Sequence, residues 1–179
     1  MQVEPRTESV RPGPEGLGRF LFGRGFMDEM LRLICPGLEQ GGVFPQEYTG
    51  YGEDRSPEFR IENLPPEAAA LAVTLEDLSH PIKGFTHWVA WDLPARECIS
   101  GNLPSGREIP GGGRQGAGYG LFRYAGPKPP KGSSHCYRFT VYALDTVLGK
   151  LPVWTGKRAF LRKASGHILR KGILTARFP

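Results

Sequence analysis

The chain is poor in the features that most quickly assign a protein to a class. Among its 179 residues there are only three cysteines, Cys35, Cys98 and Cys136, widely spaced and without a C-x-x-C pair. That argues against a disulfide framework and against a thiolate zinc cluster. No apolar run approaches the roughly 20 residues a membrane-spanning helix needs. The N-terminus also lacks the charged start, apolar centre and small-residue cleavage site of a secretory leader, so a cytoplasmic location is expected. There is no internal repeat and no G-x-S-x-G elbow. No two of the four histidines stand at the i, i+2 or i, i+4 spacing of common metal sites. We therefore expect neither a metal nor another cofactor.

Glycine and proline, by contrast, are abundant. The 25 Gly and 17 Pro exceed ordinary usage and fall between short apolar runs, the pattern of one loop-rich β domain. We place that domain at residues 26–179, behind a flexible extension over residues 1–25 that is rich in Pro, Gly, Arg and Glu. The net charge of +5 is unevenly spread. Lys157, Arg158, Arg162, Lys163, Arg170, Lys171 and Arg177 follow one another with no acid among them. Such a segment reads as a solvated helix face, or as a surface for acidic membranes or phosphates. We do not expect nucleic acid as a partner.

Along the chain, a short strand or helical turn is expected over Phe26–Ile34, a strand from Glu58 to Ile61 after Ser56-Pro57, and a turn at Asn63–Ala68. Ala70–Glu76 alternates, with Leu71, Val73 and Leu75 on one face of a half-buried strand. Phe85–Leu93 is a second strand, aromatic and closed by Pro94. Gly101–Gly120 is a long Gly/Pro loop in which Gly111, Gly113 and Gly116 satisfy G-x-G-x-x-G by spacing alone, without the strand-to-helix setting of a dinucleotide site. His135–Leu144 alternates again, Gly156–Ile168 reads as a helix with Phe160, Leu161, Ala164, His167 and Ile168 on one side, and Ile173–Phe178 as a last strand. Many short strands and one helix point to a mainly β fold, a sandwich of antiparallel sheets.

The residues with chemical potential sit around one loop. Gly126-Pro127-Lys128-Pro129-Pro130 is stiff where proline fixes φ and open where glycine lets a ligand approach. Directly after it, His135 and Tyr137 share one strand face, a pair of donors suited to phosphate or carboxylate. Asp77 and His87 flank a turn, so adjacent antiparallel strands would bring them together, and an Asp beside a His favours the imidazolium. Each of these groups, taken singly, also reads as a hydrogen-bonded core residue. His80 is expected in a turn, His167 within helix packing, and Trp88 and Trp91 on opposite faces with at least one in the core.

Taken in order, Leu75-Glu-Asp77-Leu-Ser-His-Pro81, Gly84-Phe-Thr-His87-Trp-Val-Ala-Trp-Asp-Leu-Pro94, the Gly126–Pro130 loop with Lys131-Gly132, and His135-Cys-Tyr137 resemble the phosphatidylethanolamine-binding protein family, which includes the Raf kinase inhibitor proteins and bacterial relatives. The resemblance covers about Phe44 to Phe178. It implies a sandwich of two antiparallel sheets with a C-terminal helix, and a pocket for phosphate-like anions. It also implies roles for individual residues. Asp77 resembles the first Asp of the family's Asp-Pro-Asp-Ala-Pro motif, His87 the His of its His-Trp motif, Gly126, Lys128 and Pro130 the loop wall, and His135 and Tyr137 its His-Arg-Tyr motif. Leu78, Ser79, His80 and Cys136 depart from those motifs. The expectation is a non-enzymatic binding protein for a phosphate-like anion, a phosphorylated small molecule, peptide or lipid head group. The alternatives are a kinase or protease inhibitor acting by protein contact and, with less support, a hydrolase. Peripheral contact with acidic membranes and a homodimer stay open.

Overall fold

The computed structural model describes residues 30–179. The extension expected over residues 1–25 and the first part of the Phe26–Ile34 segment lie outside them. Nine strands and one α-helix follow: β1 (Arg32–Ile34), β2 (Gly42–Val43), β3 (Phe59–Glu62), β4 (Ala70–Asp77), β5 (Phe85–Pro94), β6 (Cys98–Ile99), β7 (Arg114–Gln115), β8 (His135–Leu144), α1 (Lys157–Ala164) and β9 (Ile168–Phe178). They form a three-stranded sheet, β1-β3-β6, and a six-stranded sheet, β2-β9-β8-β4-β5-β7. All pairings are antiparallel except the edge pair β2–β9, which is parallel.

The alternation of β4 and β8 sorts their side chains into two cores. Leu71, Val73, Leu75, Tyr137, Phe139 and Val141 face the small sheet and meet Phe59, Ile61 and Ile99 there. On the other face Ala72, Tyr142 and Leu144 pack with Val89 and Trp91 against Phe160 and Ala164 of α1. Strand β4 is thus buried on both faces, not on one as the sequence suggests. Ala72, Thr74 and Glu76 are short or partnered enough to be covered by the helix and its approach. Trp88 and Trp91 do face opposite ways, and both are buried.

The helix is shorter than Gly156–Ile168. It stops at Ala164 because Gly166 takes a left-handed φ of 83°, a conformation suited to glycine at a helix end. His167 then bonds through Nδ1 to the Asp145 carboxylate (2.9 Å) instead of packing within the helix, and Ile168 pairs with Leu144 as the first residue of β9. Strand β9 therefore begins before Ile173. Its first half, Ile-Leu-Arg-Lys-Gly, hid the strand because Ile168 and Lys171 are solvated, Leu169 and Arg170 are only partly buried, and Gly172 is kept small by the Leu31 carbonyl lying over it.

The long Gly101–Gly120 loop is built around one buried amide. Gln115 accepts the Trp88 indole N–H (2.8 Å) and donates to the carbonyls of Pro104, Gly106 and Phe122. Gly111, Gly113 and Gly116 lie in this loop, and no helix opens directly after them; the next element after Gly116 is β8.

Candidate functional site

The rung Asp77↔Tyr137 of the β4–β8 ladder places the candidate residues at one end of the large sheet. Asp77 is buried, and one carboxylate oxygen accepts the His135 Nδ1–H at 2.7 Å, the other the backbone N–H of Ser79 at 2.8 Å. Ser79 also uses its hydroxyl, as acceptor of the Cys136 N–H (2.9 Å). The Asp77-Leu-Ser segment is in this way tied down from both strands. With its Nδ1 proton committed to Asp77, His135 has only Nε2 left for another partner.

Strand β5 supplies His87, also buried, whose Nδ1 bonds to the Ala125 carbonyl at 3.0 Å. Here too the donor role fixes the tautomer and leaves Nε2 uncommitted. Around the His87 ring stand Tyr119 (5.2 Å between centroids), Tyr137 (5.3 Å, edge to face) and Phe85 (5.4 Å). Desolvation pushes the His87 pKa below the ordinary histidine value, opposed by the Ala125 carbonyl and by the charge of Asp77. Burial first, and then the Asp77 charge, push the Tyr137 phenol well above its ordinary range, so it remains a proton donor.

The expected Asp77–His87 pair is accordingly corrected. Asp77 bonds directly to His135, across the β4–β8 ladder, and acts on His87 only through its charge. The reason is a register shift between Leu75 and Glu76 where β4 meets β5, together with a carbonyl from the loop that takes the His87 proton first.

The loop closes the site from the side. Gly126 donates its N–H to Asp54 (2.6 Å), whose other oxygen accepts from Arg123 (2.8 Å). A Cβ at Gly126 would overlap the Tyr48 carbonyl, so only glycine fits this approach. Gly50 donates to the Pro127 carbonyl (2.9 Å) and the Tyr51 hydroxyl to that of Pro129 (2.6 Å). The Lys128 backbone reaches the Tyr137 phenol, while its ammonium lies 5.9 Å from the Tyr51 ring centroid. Pro130 is exposed and its carbonyl accepts from Ser133, so it shapes the loop without touching the histidines.

Asp77, His87, Gly126, Lys128, His135 and Tyr137 are thus gathered, and Pro130 stands at the edge. Sequence reading missed Tyr119, Tyr51, Asp54 and Tyr48, which have no motif of their own and are recruited by the loops. His80 lies in a turn as expected, accepting the Ile82 N–H (3.0 Å) and stacking on Phe85 (3.9 Å). The site is a compact cluster rather than a wide cavity; a groove of about 730 Å³ lies elsewhere, along Glu76, Arg138 and Ile173 on the outer face of the sheet.

Comparison with known proteins agrees with this architecture. The family model of the phosphatidylethanolamine-binding protein matches residues 36–179. A UPF0098 protein of Pyrococcus abyssi is 40% identical over 135 residues, covering 73% of this chain and 75% of that protein. One from Archaeoglobus fulgidus is 37% identical over 142 residues, 78% of this chain but only 48% of that longer relative. A crystal structure of a phosphatidylethanolamine-binding protein homologue from Chlamydia trachomatis superposes with a TM-score of 0.73 at 26% identity, covering 84% of this chain and 98% of that one. With a family match over most of its length and the fold of a solved homologue, this chain belongs to the phosphatidylethanolamine-binding protein family.

Proposed function

We propose that the cluster of Asp77, His87, His135 and Tyr137 binds a phosphate-like anion, either free or as part of a phosphorylated small molecule or head group, and that the protein acts by binding and not by turnover. One observation carries this reading. Two imidazoles at the same strand ends each have Nδ1 committed, to Asp77 and to the Ala125 carbonyl, so each can offer only Nε2, next to a phenol that stays protonated. Protonating those Nε2 atoms creates charge-assisted donors, about twice as strong as neutral ones. Asp77, meanwhile, accepts from His135 and the Ser79 N–H and lies beside the Tyr137 phenol, so its carboxylate is already partnered within the cluster.

Calorimetric titration with sulfate, whose charge does not change near neutral pH, isolates the histidines. Binding an anion to protonated His87 requires uptake from the solution of a proton that burial disfavours. Affinity is therefore expected to rise as pH falls from neutral toward the lowered His87 pKa, and His87→Ala is expected to weaken binding at least on the order of tenfold. Affinity that is flat with pH, or unaltered in His87→Ala, would overturn the reading.

A further inference from the structure

Two turns near this site hold large apolar side chains in solvent. Trp154 is 73% exposed, Tyr119 58% and Leu121 48%. Leu121 and Phe122 are not loosely held. Both have positive φ, 22° and 56°, a region that bulky residues avoid unless their surroundings enforce it. The enforcement is visible: Phe122 donates its N–H to the Gly116 carbonyl (3.0 Å), and its own carbonyl accepts from Gly106 (2.8 Å) and from the buried Gln115 amide (3.1 Å). The two turns are joined by the Ala117 N–H, which donates to the Thr155 carbonyl (2.8 Å), and by the Phe122 and Trp154 rings, 6.3 Å apart. A well-ordered framework thus keeps Leu121 and Trp154 outside the core, and clustered exposed apolar side chains mark contact surfaces.

The charge around these turns is mostly positive. The Arg107 guanidinium lies 5.7 Å from the Phe122 ring centroid. Arg107, Arg114, Lys150 and Val153 share one shallow cavity with Glu108. The Glu108 carboxylate is bound by Arg114 (2.8 Å), and Arg114 also approaches the largely buried Asp92 at 3.8 Å. Arg158, at the start of α1, is exposed. A two-fold contact with a second copy would set these cations against their equivalents, which like-charge repulsion opposes. A folded protein partner would need a preformed groove for the projecting rings. A fluid anionic surface needs none: it complements the cations, and Trp favours the boundary between water and lipid.

We propose that the turns around Tyr119–Phe122 and Val153–Trp154 dock the protein on the head-group layer of a membrane containing anionic lipid. Trp154 and Leu121 enter the interface while Arg107, Lys150 and Arg158 meet lipid phosphates. Tyr119 belongs both to this surface and to the surroundings of His87, so docking brings the candidate anion site close to the membrane. The docking itself does not depend on what that site binds.

The full chain, mixed with phosphatidylcholine vesicles with and without phosphatidylglycerol, provides the test. Co-sedimentation is expected with phosphatidylglycerol at low salt, with little in its absence. Trp154→Ala and Leu121→Asn, the latter tolerant of positive φ, should each weaken partition on the order of tenfold, with thermal unfolding and sulfate affinity unchanged. Trp88 and Trp91 are buried, so iodide quenching reports Trp154, and vesicles should protect it. The proposal is overturned by no sedimentation at low salt, by unaltered partition in Trp154→Ala, or by an iodide-accessible Trp154 on vesicles. It is also overturned by retention on an acidic polypeptide such as polyglutamate without binding to vesicles, which would assign the surface to a protein partner.

Discussion

Adjacent residues on β4 carry two buried carboxylates to opposite faces of one sheet, and the two are used differently. Glu76, on the outer face, is held by Arg138 (3.0 Å) across the ladder and by Lys157 from the start of α1. Both partners are permanently charged, and between them they occupy both carboxylate oxygens. Asp77, on the inner face, is held by His135 and a backbone N–H. Its side-chain partner is an imidazole, and one of that ring's nitrogens is left over. The difference shows that burial of a carboxylate is by itself no sign of a site. What distinguishes Asp77 is a partner that can change charge and still has hydrogen-bonding capacity to offer.

The largest expected break falls on neither acid but on the loop that closes the Asp77 side. Gly126→Ala sets a Cβ against the Tyr48 carbonyl and should lower unfolding free energy by about 3 kcal/mol in urea denaturation, with sulfate binding lost. A variant that kept both stability and binding would show that the loop yields freely.

The two acids are separated next. Glu76→Gln leaves Arg138 and Lys157 short of their counter-charge. Both cations retain some solvent access, so a loss of about 1–2 kcal/mol is expected, with sulfate affinity unaltered. Asp77→Asn should cost less stability but weaken sulfate binding about tenfold at neutral pH, with recovery as pH falls and the histidines are protonated by the solution. Tighter binding in Asp77→Asn would mean that direct repulsion by the carboxylate outweighs its support of the histidine. In that event Asp77 would be as structural as Glu76.

The smallest effect concerns His87. Its folded pKa lies below that of the unfolded chain, so at acid pH the unfolded form takes up a proton that the folded form resists. Stability is therefore complete above the ordinary histidine value of about 6.5 and declines as pH falls from there toward the lowered folded value. Melting temperatures followed across that window should slope downward with acid, and His87→Asn, which keeps a donor for the Ala125 carbonyl, should flatten the slope. An unaltered slope would assign the acid sensitivity to other groups.

Much of the framework was readable in advance because the period of the apolar residues is a local property. Leu71, Val73 and Leu75, and the alternation from His135 to Leu144, marked β4 and β8, and Pro94 marked the end of β5 to within a residue. The short strands β2, β6 and β7 were not legible. Each is two residues long and is a strand only because a neighbour offers a ladder. Within the site, the histidines, Asp77 and the glycine-proline loop stood out by residue type. Asp54, which holds Gly126 in place, and Tyr119, which lies against His87, had no such signal, because their roles depend on loops that meet far from one another in sequence.

The sequence alone determined the two-faced strands, the helix before the last strand, the stiff loop, and the placing of two histidines, an aspartate and a tyrosine near strand ends. Those features follow from side-chain periodicity and from the backbone limits of glycine and proline. Tertiary structure decided the pairing: Asp77 with His135 and not His87, the Ala125 carbonyl on His87, Glu76 sealed by Arg138 and Lys157. It also decided which apolar residues were left out of both cores, Leu121 and Trp154 among them. Hydrogen-bond partners are set by register shifts of a single residue and by which loop arrives first, and neither quantity is encoded in the spacing of residues along one strand.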